Sequence, residues 1–176
     1  TFGGESKVMN LEVGKHTITA LVEDRPGVLN RISSMFRRRG YNISSLAVGK
    51  SESAGMSRMT FVVEGGISTV EMVVKNLQKL VEVIRVSNVG GINDVSRELA
   101  LVRVKADVSS RNEIMQIVGI FRAKIVDIAQ GSLIVEVTGD EDKVDSLVEL
   151  LGGFGVQEVM RTGTISMERG STVENT

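Results

Sequence analysis

EDRPGVLNRISSMFRRRGYNISSL, residues 23–46, carries one strand into the next through a single helix. Val28, Leu29, Ile32, Met35 and Phe36 recur at helical spacing, with Asn30, Arg31, Ser34, Arg37 and Arg38 on the other side. That pattern predicts a helix with one buried stripe. Gly40 stops it. Arg37-Arg38-Arg39 reads as a solvated helix end whose charge suits the dipole, not as a nucleic-acid patch. Upstream, Thr17–Val22 alternates as a strand. Downstream, Asn42 to Glu52 reads as a second strand, GKSESAG as a turn and SRMTFVVE (57–64) as its hairpin partner. Gly65-Gly66 breaks that strand. A second helix follows, with Val70, Val73, Val74, Leu77 and Leu80 on its apolar side, and VEVIRVSNV (81–89) closes the unit as a strand. The order β-α-β-β-α-β is that of a ferredoxin-like plait, a four-stranded antiparallel sheet with two helices on one face.

The pattern then repeats. RELALVRVKAD reads as a strand, RNEIMQIVGIF as a helix with Ile114, Ile117, Val118 and Phe121 inward, and KIVDIA with SLIVEVTG as a hairpin. DEDKVDSLVELL is a helix that Asp140 can cap, and GVQEVMRTG is the last expected strand. A shift of 83 residues places Asp24 over Asp107 and Ile43 over Val126. The expectation is an α+β chain of two tandem ferredoxin-like βαββαβ plaits. Its parts are a leader at 1–15, the first plait at 16–90, a linker at 91–96, the second plait at 97–170 and a tail at 171–176. The second copy has VSSRNE where the first has Pro-Gly, so any special chemistry belongs to the first.

Composition narrows the function. The chain has 176 residues, 41% hydrophobic and 24% charged, which suits a soluble globular protein with a real core. There is no Cys, hence no disulfide, thiolate metal site or cysteine nucleophile, and a reducing cytoplasmic location fits. A net charge of −1 argues against a nucleic-acid partner. No stretch is apolar enough to span a bilayer. His16, the single histidine, opens a strand, where a surface or hydrogen-bonded role is commoner than catalysis. No second group stands by to complete a triad or metal site. The chain does not read as an enzyme.

The turn Asp24-Arg25-Pro26-Gly27 offers something else. Pro suits a helix's first turn because its missing N–H would find no partner there. Gly27 leaves no side chain over the N–H groups that open the helix, and those donors with the dipole's positive end can take a carboxylate. Asp24 can accept from an ammonium group close by. Together they describe a free α-amino acid. On spacing alone a plain helix start, with Asp24 as cap and Pro-Gly as turn, is the commoner arrangement.

EDRPGVLNRISSMFRRRGYNISSLAVGKSE with SRMTFVVEG resembles the ACT domain of acetolactate synthase regulatory (small) subunits. The resemblance continues through LQKLVEVIRVSNV, SRELALVRVKAD, IFRAKIVDIA and RTGTISMERG, covering nearly everything from His16 to Gly170. It implies that the first plait is an ACT domain and the second a related plait particular to the family. It implies valine, or a related branched-chain amino acid, bound at an interface between two ACT domains of a homodimer. Carried onto this chain, the effector contacts are Asp24, Gly27, Val28, Leu29, Asn42 and Ile43. It further implies a catalytic (large) subunit as partner, holding thiamine diphosphate, magnesium and FAD, with no cofactor on this chain. The Asn42–Glu52 strand lies at a sheet edge with no proline to blunt it, so two copies can pair there. A stand-alone amino-acid sensor acting on another partner is the alternative. An RNA-binding plait lacks the exposed aromatics it needs, since FWY make up 3% of the chain. A catalytic plait lacks a nucleophile and base.

Overall fold

A computed structural model of the chain describes residues 13–170. The expected tail, and all but the last three residues of the expected leader, lie outside that range. Thirteen elements follow in order: β1 (Gly14–Glu23), α1 (Val28–Arg39), β2 (Asn42–Lys50), β3 (Met56–Gly65), α2 (Ile67–Gln78), β4 (Val83–Val89), β5 (Asp94–Lys105), α3 (Arg111–Ile120), β6 (Lys124–Ile128), β7 (Ser132–Gly139), α4 (Glu141–Gly152), β8 (Val156–Arg161) and β9 (Ile165–Glu168). The chain divides into two compact units. Among the described residues, one holds 13–44 and Val48–Asn88, the other Ser45–Ala47 and 89–170.

The first unit's sheet runs β2-β3-β1-β4. Ile18, Ala20 and Val22 of β1 and Met59, Phe61 and Val63 of β3 turn inward on the period of two. Val28, Ile32, Met35 and Phe36 of α1 meet them with Val70, Val73 and Leu77 of α2. Phe36 packs on Phe61 with ring centroids 5.1 Å apart. Gly40 ends α1 at φ 69°, its N–H on the Arg37 carbonyl and the Tyr41 N–H on the Phe36 carbonyl. His16 is a hydrogen-bonded strand residue, with Nε2 3.1 Å from the Gly65 carbonyl.

The second unit's sheet runs β6-β7-β5-β8, with a further strand against β5. Ala100, Val102 and Val104, Leu133, Val135 and Val137, and Ile114, Val118, Val144, Leu147 and Leu151 form its core. Asp140 caps α4 as expected, its carboxylate accepting from the Lys143 N–H at 2.9 Å. Two tandem βαββαβ units are thus present, with three corrections of detail.

The strand expected to be last is followed by another. β9 pairs antiparallel with the first four residues of β5, Asp94–Arg97, a segment expected to be mostly linker. Four residues are too few to declare an alternation, and β5 outruns its core sheet by just that length. β1 likewise begins at Gly14, ahead of the alternation at Thr17. The third correction concerns the repeat. Buried Ile18, Ala20 and Val22 answer to Ala100, Val102 and Val104, and the Asp24 N–H bond to the Gly55 carbonyl answers to that of Ala106 to Gly131. Gly40 at φ 69° answers to Arg122 at φ 52°. The inward β1 and β5 residues, the donors Asp24 and Ala106, and Gly40 with Arg122 are each 82 residues apart (for instance 100 − 18), not 83. Asp107 therefore stands where the first unit has Arg25, and Ile125, not the exposed Val126, answers to Ile43.

Candidate effector site

Strand β1 delivers Glu23 to one end of the first sheet, and the chain must reverse there to lay α1 back across it. Asp24 is anchored by its N–H to the Gly55 carbonyl at 2.8 Å. Arg25-Pro26-Gly27-Val28 makes the reversal, closed by a long 3.5 Å bond from the Val28 N–H to the Arg25 carbonyl. Gly27 has φ 89° and ψ −15°, the conformation of the third residue of a type II turn, where Pro before it is favoured. The stiff and the loose residue stand together because that turn needs one of each. Pro26 therefore precedes the helix, Gly27 is its N-cap, and α1 starts at Val28, a correction to the expected place of Pro in the first helical turn.

No side chain caps α1. A Cβ built on Gly27 would meet nothing within 4 Å, so the space over the turn is open. Leu29 is 48% exposed there, whereas Val28 is buried and offers only its backbone. Asp24 is exposed beside them. The second unit shows the contrast. Its Ser110 N–H, the counterpart of the Val28 N–H, is taken by the Asp107 carboxylate at 2.8 Å, and the Ser109 hydroxyl donates to the same oxygen at 2.6 Å. Those bonds, the Ser109 hydroxyl first, hold the Asp107 carboxyl down at about 2. One turn closes on its own carboxylate; the other has none.

Asn42 and Ile43 lie elsewhere. Asn42 opens β2 and donates through Nδ2 to Glu64 Oε2 at 2.7 Å, and Glu64 faces Lys15 across the β1–β3 ladder. Asp24 instead follows Glu23, which faces Met56 at the other end of that ladder. From Lys15 to Glu23 is eight residues, or roughly 26 Å at about 3.3 Å per residue. Within one chain, then, Asp24, Gly27, Val28 and Leu29 come together, and Asn42 with Ile43 forms a separate group. Ile43 is half-buried against the core.

One residue escapes a reading of the sequence. Glu82 falls within the expected strand VEVIRVSNV, but β4 starts only at Val83, and in the turn before it Glu82 is 4% exposed while Val81 is 80% exposed. Its carboxylate receives Arg31 from α1 and, at 3.6 Å, Arg25 from the turn; its carbonyl accepts the Glu23 N–H at 2.9 Å. A second bond ties Arg25 to Glu23 at 2.7 Å. Glu82 thus fixes the turn from below. Hydropathy carries no sign of it, because Val81 and Glu82 exchange their expected environments.

Two family models divide the chain between them: the AHAS small subunit-like ACT domain over residues 18–85 and the small subunit of acetolactate synthase over residues 97–170. The chain belongs to the acetolactate synthase small-subunit family. A probable acetolactate synthase small subunit of Archaeoglobus fulgidus is 52% identical over 89% of this chain and 98% of its own length. The acetolactate synthase small subunit of Mycolicibacterium smegmatis is 48% identical over 88% and 91%. The crystal structure of the acetolactate synthase small subunit from Thermotoga maritima superposes with a TM-score of 0.85 at 40% identity, covering 91% of this chain and all of that one. A small subunit has a large catalytic one as its counterpart. Among the described residues of this small subunit, no helix is long and apolar enough to cross a membrane.

Proposed function

We propose that this small subunit senses a branched-chain amino acid, valine foremost, and passes that signal to the catalytic subunit of acetolactate synthase, activating it and making it subject to feedback inhibition. The chain has no acetolactate synthase active site of its own. Thiamine diphosphate, magnesium and FAD belong to the catalytic partner, and the assembly works in the cytoplasm.

The observation that supports this reading is the difference between the two turns. The Val28 N–H of the first unit has only a stretched backbone bond, where its counterpart in the second has a carboxylate. A ligand carboxylate at the first turn would restore what the second turn supplies for itself. The ligand's ammonium group falls to Asp24 and its apolar side chain to the exposed Leu29. Asn42 and Ile43 complete the site from a second copy. Edge strands β2 of two copies, paired antiparallel, bring each Asn42 level with the other copy's Ser51 end of the strand, where Ser51 bonds the Met56 carbonyl and Met56 faces Glu23. The roughly 26 Å that separates the two groups in one chain is thereby closed between two. Purified catalytic subunit is to be assayed alone and with this chain, across a valine titration. The expected result is a higher rate and a new sensitivity to valine. An unchanged rate and inhibition profile would refute the proposal.

A further inference from the structure

We infer that Glu64 fixes the polarity with which Asn42 meets the ligand, and so makes that end of the site select an ammonium group; the inference rests on the effector site proposed above. An amide is ambiguous, since one end donates and the other accepts. Glu64 removes the ambiguity. An ionised carboxylate only accepts, so the group 2.7 Å from Glu64 Oε2 is the Asn42 NH2, and the carbonyl oxygen Oδ1 is the end left to face outward. Asn42 is exposed at the first residue of the edge strand β2, with its amide held by β3, its neighbour in the sheet. The pair is thus built within one copy before any ligand arrives, and its orientation costs nothing at the moment of binding.

The chemistry that follows is specific. Oδ1 is an acceptor, so a cationic donor is favoured there and an anion is not. Across the interface, Asp24 is also an acceptor and the first turn of α1 a donor. A zwitterion then has one permitted direction, carboxylate toward Gly27 and Val28, ammonium between Asp24 and the partner's amide. An amine-free acid of the same shape meets only half of this. Glu64 is a specificity-determining residue that need not touch the ligand.

The test uses the full chain and two probes, valine and 3-methylbutanoate, which share an isopropyl group and a carboxylate and differ in the amine. Calorimetric titration of each is compared for the wild type, Glu64→Gln, and the double variant Asn42→Asp with Glu64→Gln. Glutamine can donate or accept, so the single variant frees the Asn42 amide, and the preference for valine should fall about tenfold with 3-methylbutanoate affinity unchanged. In the double variant the introduced glutamine donates to the introduced aspartate, which again presents an acceptor outward, and the preference should return. A merely structural role predicts no such rescue. Equal losses for both probes, or no loss, overturn the inference. A loss that the double variant fails to restore shows that an acceptor presented at residue 42 is not what the pair supplies, and also overturns it. Should the wild type bind neither probe, the effector site itself falls, and this inference with it.

Discussion

Gly27 carries two demands at once, a positive φ and an empty space above the turn, and each can be tested separately. An L residue in that conformation costs about 1–2 kcal/mol, least for Asn and Asp. Gly27→Asn should therefore keep the fold with a modest loss of melting temperature. Gly27→Asp shares that strain but sets a carboxylate where, on the proposed reading, the ligand's own belongs. Two charge-assisted hydrogen bonds, at roughly 1.5–3 kcal/mol each, are then lost, and valine affinity should fall by on the order of a hundredfold or more. Calorimetry on the pair separates strain from repulsion; equal affinities in Gly27→Asp and wild type would mean that the turn receives no ligand. Glu82 offers a second experiment. Arg31→Ala removes the nearer cation from a buried carboxylate, leaving Arg25 at 3.6 Å, and should destabilise the protein by roughly 1–3 kcal/mol in urea unfolding. Glu82→Met combined with Arg31→Ala should cost less than Arg31→Ala alone, because no buried charge remains. At this scale the sequence is half legible. Asp24 and Gly27 stand out because a turn needs particular residue types; Glu82 does not, because only the packed structure turns it inward.

Elements are more legible than residues, and the reason is periodicity. α1, α4 and β7 follow from spacing alone, as the inward runs Ile32-Met35-Phe36, Val144-Leu147-Leu151 and Leu133-Val135-Val137 show. β9 is invisible in the sequence, being shorter than one clear alternation, and the repeat shift reads one residue too long because Asp107 resembles Asp24 more than Ala106 does. That carboxyl gives a pH prediction for the start of α3. Its folded value of about 2 lies below the ordinary 3.8, so the charged form is the one the fold favours. The turn's contribution is complete above about 4 and is lost as pH falls through about 2. Carboxyl-carbon NMR should place the Asp107 midpoint near 2, and Ser109→Ala should raise it toward the ordinary value. An unmoved midpoint in that variant would remove the Ser109 hydroxyl as the main cause.

For the whole molecule, the two-plait architecture can be read from the order of elements, but the grouping of Asp24 with Asn42 cannot. A sequence lists both as one site; the fold separates them by the length of a sheet, and on the proposed reading a second copy rejoins them. The chain is accordingly expected to be a homodimer through the β2 edge. Sedimentation at micromolar concentration should return the dimer mass, with valine tightening the association because its site spans both copies. A monomer under both conditions would contradict the shared site.

The closed turn of the second plait has a consequence of its own. Asp107 is in effect a tethered ligand, joined by three residues to the N–H it occupies, and such a tether gives an effective concentration at or above the millimolar range. A free carboxylate well below that concentration does not displace it. On the proposed reading, one plait carries its anion in its own covalent structure and is deaf to metabolism, while the other must borrow an anion from solution and so reports how much of it there is.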